Sequence, residues 1–391
     1  MSEMSYLEKL LDGVEVEWKT LGSIAELKRG TSITKKDVID GTIPVVAGGR
    51  TPAYYHNTSN RDGQTIVIAG SGAYAGFVSW WEEPIFVSDA FTVKPHNILL
   101  PRYCYHFLMN MQQQLHEFKS GGGVPHVYPR DVSPILIPIP CPDTPEKSLA
   151  IQSEIVRILD KFTALTAELT AELTAELNMR KKQYNYYRDQ LLSFKEGEVE
   201  WKTLGEVAQY SKTRISFELL DERNYVGVDN LLQNRAGKSL SNHVPTSGKL
   251  TEFIPNDILI GNIRPYLKKI WQADCIGGTN GDVLVIRCID SSINTRYLYQ
   301  ILADDKFFEY NMQHAKGAKM PRGSKEDIMK YPIPVPPLTL QARIVEILNK
   351  FDTLTNSITE GLPREIELRQ KQYEYYRDLL FSFPKPETVS N

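Results

Sequence analysis

Apolar residues recur every three, four or seven positions along two segments of the chain, which is the spacing of one face of an α-helix. The first segment covers residues 155–194, and the second, residues 344–383, has an apolar or aromatic residue at each matching position. Two helices with matching stripes are suited to pack together. We therefore predict helix packing and subunit docking through Leu165, Leu169, Leu173, Leu177, Tyr184, Tyr187, Leu354, Ile358, Tyr373 and Tyr376.

The first helical segment contains the sequence TAEL three times in succession, from Thr166 to Leu177. Alanine, glutamate and leucine are strong helix formers, so we interpret this stretch as a helical spacer in which each repeat adds ~6 Å. The second segment is predicted to break near Gly361 and Pro363, because proline suits the first turn of a restarted helix.

The chain consists of two copies of one unit. EVEWKTLG at Glu15 recurs unchanged at Glu198, and the run IPIP is matched later in the chain by IPVP. QSEIVRILDKF at Gln152 matches QARIVEILNKF at Gln341, and KQYNYYRDQLLSF matches KQYEYYRDLLFSF. The order of these matches indicates a duplication in which a variable part is followed by a fixed helical part.

The duplication predicts five segments. These are an N-terminal helix at 1–14, a variable domain at 15–150, a helical spacer at 151–197, a second variable domain at 198–340, and a second spacer with the C-terminal tail at 341–391. Residues 6–18 resemble 187–201, so the N-terminal helix looks like the tail of another fixed segment, and the repeats would close in a circle. Chain tracing then predicts antiparallel helices and domains related by a pseudo-two-fold axis.

Each variable domain is predicted to be α+β. Apolar runs at 64–69, 85–87, 257–260 and 282–287 are bounded by turn residues and indicate strands. Residues 103–111 and 296–302 indicate helices whose tyrosines we interpret as core residues. The predicted fold class is therefore two related mixed α/β domains, separated by two long antiparallel helices that form a coiled coil.

Two loops in each domain carry the candidate binding residues. One follows the strand near residue 69 or 260, and the other follows the helix, at 120–131 or 316–327. Arg, Lys, hydroxyl and backbone amide groups suit phosphate oxygens, and Arg or Lys also reads guanine edges. The alternative for any one of them is a solvated loop side chain. The candidates are Ser71, Tyr74, Lys119, Ser120, Gly122, His126, Arg130, Arg264, Tyr266, Lys268, Lys316, Lys319, Arg322 and Lys325.

Composition narrows the function classes. The net charge is −3 and neither variable domain is rich in basic residues, so any nucleic-acid binding must use local patches. The chain has no apolar stretch of membrane-spanning length and no signal peptide, which favours a cytoplasmic protein. Four cysteines without metal-ligand spacing are interpreted as reduced, packed thiols, so we expect neither zinc nor disulfides.

No catalytic constellation is found. GKS at Gly237 lacks the glycine that a phosphate-binding loop needs where Leu232 stands, and GSGAYAG lacks dinucleotide-loop spacing. The sequence also has no amino-methyltransferase motif, nucleophile elbow or zinc-protease pair. EVEWK could be mistaken for a nuclease motif, but its repetition favours a structural strand or turn with Trp18 and Trp201 available for burial.

Taken together, the alternating variable and fixed parts, the proline run leading into Q-x-x-I-V-x-I-L, and the closing Q-Y-x-Y-Y-R-D resemble the specificity subunit of type I restriction-modification enzymes. The resemblance covers nearly the whole chain, and the TAEL repeat is similar to the type IC branch. It implies that each variable domain is a target-recognition domain reading one half of a split, asymmetric DNA site.

The resemblance also implies that the helices set the gap and dock two modification (methyltransferase) subunits, and that this chain is not catalytic. S-adenosylmethionine, ATP and Mg are then expected on the modification and restriction subunits, with no cofactor on this chain. A coiled-coil adaptor whose two domains bind proteins is the alternative, because the charge is near zero.

Overall fold

The structure, a computed structural model, describes residues 6–121, 123–195, 197–357 and 360–384. The chain divides into two compact units: unit 1 comprises Met1–Leu169 with Arg369–Asn391, and unit 2 comprises Thr170–Leu368. Each unit therefore combines one variable domain with an end of both helical segments.

The elements from the N-terminus to the end of the first helical segment alternate short strands with helices. They are α1 (Tyr6–Leu11), β1 (Val16–Thr20), α2 (Leu21–Ile24), β2 (Ala25–Arg29), β3 (Ile43–Val46), β4 (Tyr54–His56), β5 (Thr65–Ala69), β6 (Val78–Trp81), β7 (Phe86–Val87), β8 (Ala90–Pro95), α3 (Pro101–Asn110), α4 (Gln112–Glu117), α5 (Pro129–Val132), β9 (Leu136–Pro140) and α6 (Pro145–Leu192).

The second half of the chain has a similar order, with one more strand before α8 and with its helical segment divided into two helices. Its elements are β10 (Glu200–Thr203), α7 (Leu204–Val207), β11 (Ala208–Tyr210), β12 (Arg214–Ser216), β13 (Tyr225–Val226), β14 (Lys249–Phe253), β15 (Ile258–Gly261), β16 (Ile270–Gln272), β17 (Gly277–Thr279), β18 (Val283–Cys288), α8 (Thr295–Leu302), α9 (Asp305–Gln313), α10 (Lys325–Ile328), β19 (Pro332–Val335), α11 (Leu338–Asn356) and α12 (Gly361–Leu380). The predicted strands, helices and break between α11 and α12 are confirmed, and the domains are α+β.

Both variable domains are built on an equivalent antiparallel sheet. Its strand order is β2-β8-β5-β6 in unit 1 and β11-β18-β15-β16 in unit 2. A smaller mixed sheet accompanies it, β4-β3-β7 in unit 1 and β12-β14-β17-β13 in unit 2. The middle strands β5, β8, β15 and β18 are mostly buried, because their apolar runs are covered on both faces.

The repeated EVEW strand pairs with the repeated proline run. β1 is antiparallel to β9, with Trp18 opposite Pro138, and β10 is antiparallel to β19, with Trp201 opposite Pro334. Two of the sequence repeats are therefore the two strands of one ribbon. The expected burial of both tryptophans is wrong for Trp201, whose side chain is 44% exposed, since a two-stranded ribbon leaves one face open.

A buried tyrosine fastens each ribbon to the domain core. The hydroxyls of Tyr103 and Tyr297 donate to the carbonyl oxygens of Pro138 and Pro334, at 3.0 and 3.1 Å. Both side chains are fully buried. The predicted core role of these tyrosines is thus confirmed, and the phenol also supplies a partner for a buried proline-strand carbonyl.

A buried glutamine connects each variable domain to its helical segment. The side-chain oxygen of Gln152 accepts from the amide of Leu100 at 2.9 Å, and its nitrogen donates to the carbonyl of Ile98 at 2.9 Å. Gln341 makes the same pair of bonds with the amide of Asn294 and the carbonyl of Ser292, both at 2.8 Å. Each amide therefore satisfies backbone groups just before the helix α3 or α8.

The helical segments pack within each unit at their ends. In unit 1, Phe162 stacks on Tyr376 at 5.2 Å and the hydroxyls of Thr163 and Tyr373 lie 3.0 Å apart, so α6 and α12 run antiparallel there. In unit 2, Tyr184 and Tyr187 stack on Phe351. These tyrosines thus contact the other helical segment within their units, and their role in subunit docking stays a prediction.

Leu165 is 50% exposed, so it is not buried within its own unit, and its packing or docking role stays a prediction. Leu169, Leu173, Leu177 and Leu354 are half-buried, and Ile358 lies outside the described residues. A leucine every four residues drifts around a helix with 3.6 residues per turn, so the TAEL leucines do not share one buried line.

The C-terminal segment packs into the core of unit 1. Phe381 packs edge-on against Tyr103 and Phe107 in unit 1, and Leu192, at the matching position of α6, packs against the core of unit 2. Helix α1 is an addition to this core: Leu7 is buried, and the Tyr6 hydroxyl donates to Glu154 at 3.0 Å. The assignment of residues 1–14 as the helix that completes the circular repeat stays a prediction.

Replacing either glutamine with leucine should destabilise only its own unit. Gln152→Leu leaves the Leu100 amide and Ile98 carbonyl without their partner, and Gln341→Leu does the same in unit 2. Each unsatisfied buried group costs about 1–3 kcal/mol, so with two such groups we expect each substitution to lower the unfolding free energy by about 2–6 kcal/mol. Urea unfolding followed by hydrogen-exchange mass spectrometry assigns the loss to a unit. Exposed Gln114→Leu is the control, and an equal effect of all three variants would contradict the assignment.

Candidate nucleic-acid interface

The two candidate loops of unit 1 are joined by backbone hydrogen bonds. Ser71 and Ser120 both form β-bridges with His126. The amide of Gly72 donates to Pro125 at 3.0 Å, and the amide of Val127 donates to Gly70 at 3.1 Å. Residues far apart in sequence therefore form one continuous surface.

Unit 2 joins its candidate loops in the same way. Ile263 and Lys316 both form β-bridges with Arg322. The amide of Arg264 donates to Pro321 at 2.7 Å, and the amide of Gly323 donates to Asn262 at 3.1 Å. The loops thus share one backbone arrangement, and only their side chains differ.

A glycine makes the second loop possible in each unit. Gly121 and Gly317, at equivalent positions, have φ values of 111° and 103°, a region that side-chain-bearing residues rarely adopt. In unit 2 the first loop is bent further by left-handed backbone at Arg264 and Lys268. These bends bring each pair of loops within hydrogen-bonding distance.

The loop surface of unit 1 is built around Tyr128. Its ring stacks on His126 at 5.8 Å with an interplanar angle of 6°, and the guanidinium groups of Arg29 and Arg130 lie 5.4 and 4.7 Å from its centroid. Arg29, His126 and Tyr128 line an open cleft of about 440 Å³ together with Ser71. Flat rings and guanidinium groups at an open surface are suited to contact bases and phosphates.

Another cation, Arg50, lies over the tip of the first loop. The guanidinium of Arg50 is 4.9 Å from the centroid of exposed Tyr74, and the Lys119 ammonium donates to the carbonyl of Ala73 at 2.9 Å. Sequence reasoning missed Arg29 and Arg50. Arg29 is the last residue of β2, which lies beside the cleft, so the alternation of side chains along that strand could have indicated it. No pattern in the neighbouring sequence indicated Arg50.

Unit 2 presents more cations on the same scaffold. Arg264, Lys316, Lys319 and Lys325 are exposed, and Tyr266 is 49% exposed beside them. The Arg322 guanidinium is also exposed, with its Nη1 bonded to Asp282 at 2.5 Å. The structure therefore brings these predicted residues together on one surface.

Lys268 makes an ion pair within its own domain. Its ammonium donates to Asp305 at 2.7 Å, and Arg235 binds the same carboxylate. Burial alone would raise the pKa of Asp305, but Lys268 and Arg235 outweigh it and hold that pKa below its ordinary value. Lys268 thus contacts the first residue of α9 while 30% of its side chain stays exposed, and its contact with DNA stays a prediction. Gly122 lies outside the described residues, and Ser120 is exposed on its loop.

The described residues contain little that suggests other chemistry. They hold no His, Cys, Asp and Glu grouping suited to a metal ion, and no helix among them is long and apolar enough to span a membrane. Cys104 and Cys141 are free and buried, Cys275 and Cys288 are free and partly buried, and burial raises the pKa of Cys104.

Comparison with known proteins identifies the class. The family described as type I restriction modification DNA specificity domain matches residues 13–179 and 196–368, one match to each copy of the repeat. The chain therefore belongs to this family, and such specificity subunits are non-catalytic.

Individual relatives agree with this class. The EcoR124I/EcoR124II specificity subunit of Escherichia coli is 43% identical with full coverage of both chains, and the EcoprrI specificity subunit of the same organism is 34% identical over 92% of this chain and 93% of its own. The likeness to EcoR124I makes the type IC-like interpretation plausible. The adaptor alternative is not favoured.

Solved structures share the fold. The S subunit of the type I restriction-modification system from M. genitalium matches with a TM-score of 0.52 at 16% identity, covering 98% of this chain and 100% of that one. A chain from a study of complex assembly and conformational transition of the type I system matches with a TM-score of 0.58 at 17% identity, covering 94% and 98%.

Proposed function

We propose that this chain is the DNA-reading subunit of a type I restriction-modification complex, in which each variable domain reads one half of a split, asymmetric site. The observation that supports this most directly is the pair of loops in each unit. They share the same backbone bonds but carry different exposed side chains, mainly aromatic and polar in unit 1 and cationic in unit 2. Two unlike readers on one scaffold fit an asymmetric target.

The side chains suit major-groove reading. Exposed Lys316, Lys319 and Lys325 supply phosphate contacts, while Arg322 and Arg264 have the planar fork that pairs with guanine. In unit 1, Ser71, His126 and Arg130 supply donors around the Tyr128 ring. Because the chain as a whole carries a charge of −3, we expect it to bind DNA weakly without partner subunits that add phosphate contacts.

The helical segments offer two equivalent surfaces for modification subunits. Tyr186 and Tyr375 occupy matching positions of the closing motif, and each is 62% exposed. Each also packs edge-on against the next tyrosine, at 5.5 Å for Tyr186 and 5.4 Å for Tyr375. Exposed aromatic anchors repeated once per unit fit two copies of one partner. Sequence reasoning missed both, because it looked only at the buried stripe.

The catalytic groups are proposed to lie on the partners. Modification subunits would hold S-adenosylmethionine for adenine methylation, restriction subunits would hold ATP and Mg, and the complex would act in the cytoplasm. The test is to express this chain with its modification subunit in a host lacking adenine methylation and to map methyladenine by single-molecule sequencing. A split motif with a fixed gap is expected. Unmethylated DNA from an assembled complex that binds S-adenosylmethionine would contradict the proposal.

Substitution in the loops of unit 2 should affect one half-site alone. Lys319→Ala removes a phosphate contact and should weaken binding for all sequences of that half-site, and Arg322→Ala should relax base preference there, by about 1–3 kcal/mol of discrimination. Methylation maps of the variants measure both. Lys350→Ala, an exposed lysine on α11, is the control, and equal losses at both half-sites would contradict the loop assignment.

Each exposed tyrosine should support one modification subunit. Tyr186→Ala or Tyr375→Ala is expected to reduce the stoichiometry from two modification subunits to one, and the double variant should bind neither firmly, because each loses an aromatic anchor. Native mass spectrometry of the co-expressed complex measures this. Exposed Tyr55→Ala in a variable domain is the control, and full assembly of the double variant would overturn this docking surface.

The TAEL stretch should set the gap between half-sites. Deleting one repeat from α6 shortens the helix by ~6 Å, so the permitted gap should shrink by roughly one or two base pairs at ~3.4 Å per step. A methylation map of the deletion variant measures the gap. Replacing one TAEL by four other helix-forming residues is the length-matched control, and an unchanged gap after deletion would refute the spacer role.

A further inference from the structure

Each variable domain holds one aspartate at the same backbone position, between its two loops. Asp89 immediately precedes β8 and Asp282 immediately precedes β18, and the strand registers place Ala90 opposite Ala69 and Val283 opposite Gly261. The carbonyl of Asp89 accepts from the amide of Gly70 at 2.9 Å, and that of Asp282 accepts from Asn262 at 2.8 Å. The two carboxylates are therefore structural equivalents.

Their surroundings differ in one respect. In unit 2 the Asp282 carboxylate is paired with Arg322 at 2.5 Å, which occupies the loop position that His126 takes in unit 1. A carboxylate behind an arginine fixes the direction of its guanidinium. Asp282 thus faces a cation of its own domain.

Asp89 has no such partner. Its side chain is exposed and lines the cleft of about 440 Å³ with Ser71, His126 and Tyr128. Within the described ranges of the chain, no hydrogen bond or ion pair engages its carboxylate. Arg29 lines the same cleft, but its guanidinium lies over the Tyr128 ring.

An unpaired carboxylate on a DNA-facing surface is selective among bases, because most groups that DNA presents repel it. Phosphate oxygens repel it, and so do the acceptor atoms that guanine and thymine present in the major groove. The groups that attract it there are the amino groups of cytosine N4 and adenine N6, and Asp or Glu accepting from cytosine is an established pairing. An acid at this place therefore separates amino bases from keto bases on one strand.

We propose that Asp89 is a specificity-determining residue, which accepts a hydrogen bond from the amino group of a cytosine or adenine in the half-site read by unit 1 and rejects guanine and thymine there. This inference rests on the proposed DNA-reading function. It assigns the cleft beside Tyr128 to one base position, and it leaves unit 2 to use the equivalent aspartate for orienting Arg322.

The experiment uses the complex of this chain with its modification subunit and duplexes in which both half-sites are randomised. Methylated products are sequenced for the unaltered chain, for Asp89→Ala, and for Glu83→Ala. Glu83 is an exposed carboxylate of the same domain that does not line the cleft, so it controls for loss of one negative charge. Thermal unfolding checks the fold, which should persist because the backbone of Asp89 makes the structural bond.

For the unaltered chain, one position of one half-site should accept only cytosine or adenine. Asp89→Ala should reduce that preference by about tenfold or more, without changing the other half-site, and Glu83→Ala should leave it intact. Unchanged preference at every position would overturn the inference, and so would a uniform gain of affinity for all sequences, which marks a carboxylate facing phosphates. An unaltered chain without any base preference would instead refute the proposed function.

Discussion

The buried amides of Gln152 and Gln341 are the contacts on which the architecture of each unit depends. A glutamine side chain offers both a donor and an acceptor, and here each is used by a backbone group that precedes the first long helix of the variable domain. Because those groups are buried, leaving them without partners would cost more than the bonds contribute when formed. The amide therefore fixes where the helical segment leaves the domain, and the aromatic packing beyond it follows from that angle.

Much of this arrangement could be predicted from the sequence, because the chain contains the same unit twice. The matching apolar stripes predicted α6, α11 and α12, and the matching turn residues predicted the positions of the loops. The pairing of the EVEW and proline repeats was not foreseen, since periodicity identifies a strand but does not choose its partner. Trp201 was misjudged for the same reason, because the exposure of a ribbon face depends on what covers it.

The sequence predicted the location of the candidate site better than it predicted the contacts within that site. The loops were located by their glycines and cations, and the β-bridges at His126 and Arg322 bring them together. The partner of a charged side chain could not be predicted: the Lys268 ammonium bonds Asp305, which lies 37 residues away in the sequence. Arg29 and Arg50 were missed because the rings they cover become neighbours only in the folded domain.

The duplication also shows which differences the scaffold tolerates in its core. The buried histidine of α3, His106, bonds Asp160 at 2.7 Å, whereas the matching Gln300 of α8 accepts from Tyr184 at 3.0 Å. Burial lowers the pKa of His106, although Asp160 opposes that shift. Different polar side chains thus occupy one position of the repeat, and each of them bonds a residue of α6.

The side chains of the loop surfaces are less constrained by the fold than the side chains of this core. Their shape is fixed by backbone bonds, such as those between Ser120 and His126 and between Lys316 and Arg322, which any residue with an amide can make. Side chains at these positions can therefore change from serine and histidine to lysine and arginine without altering the loop path. A scaffold held by backbone bonds keeps its fold while its outer side chains are exchanged, and that separation allows one chain to carry two readers of different sequence.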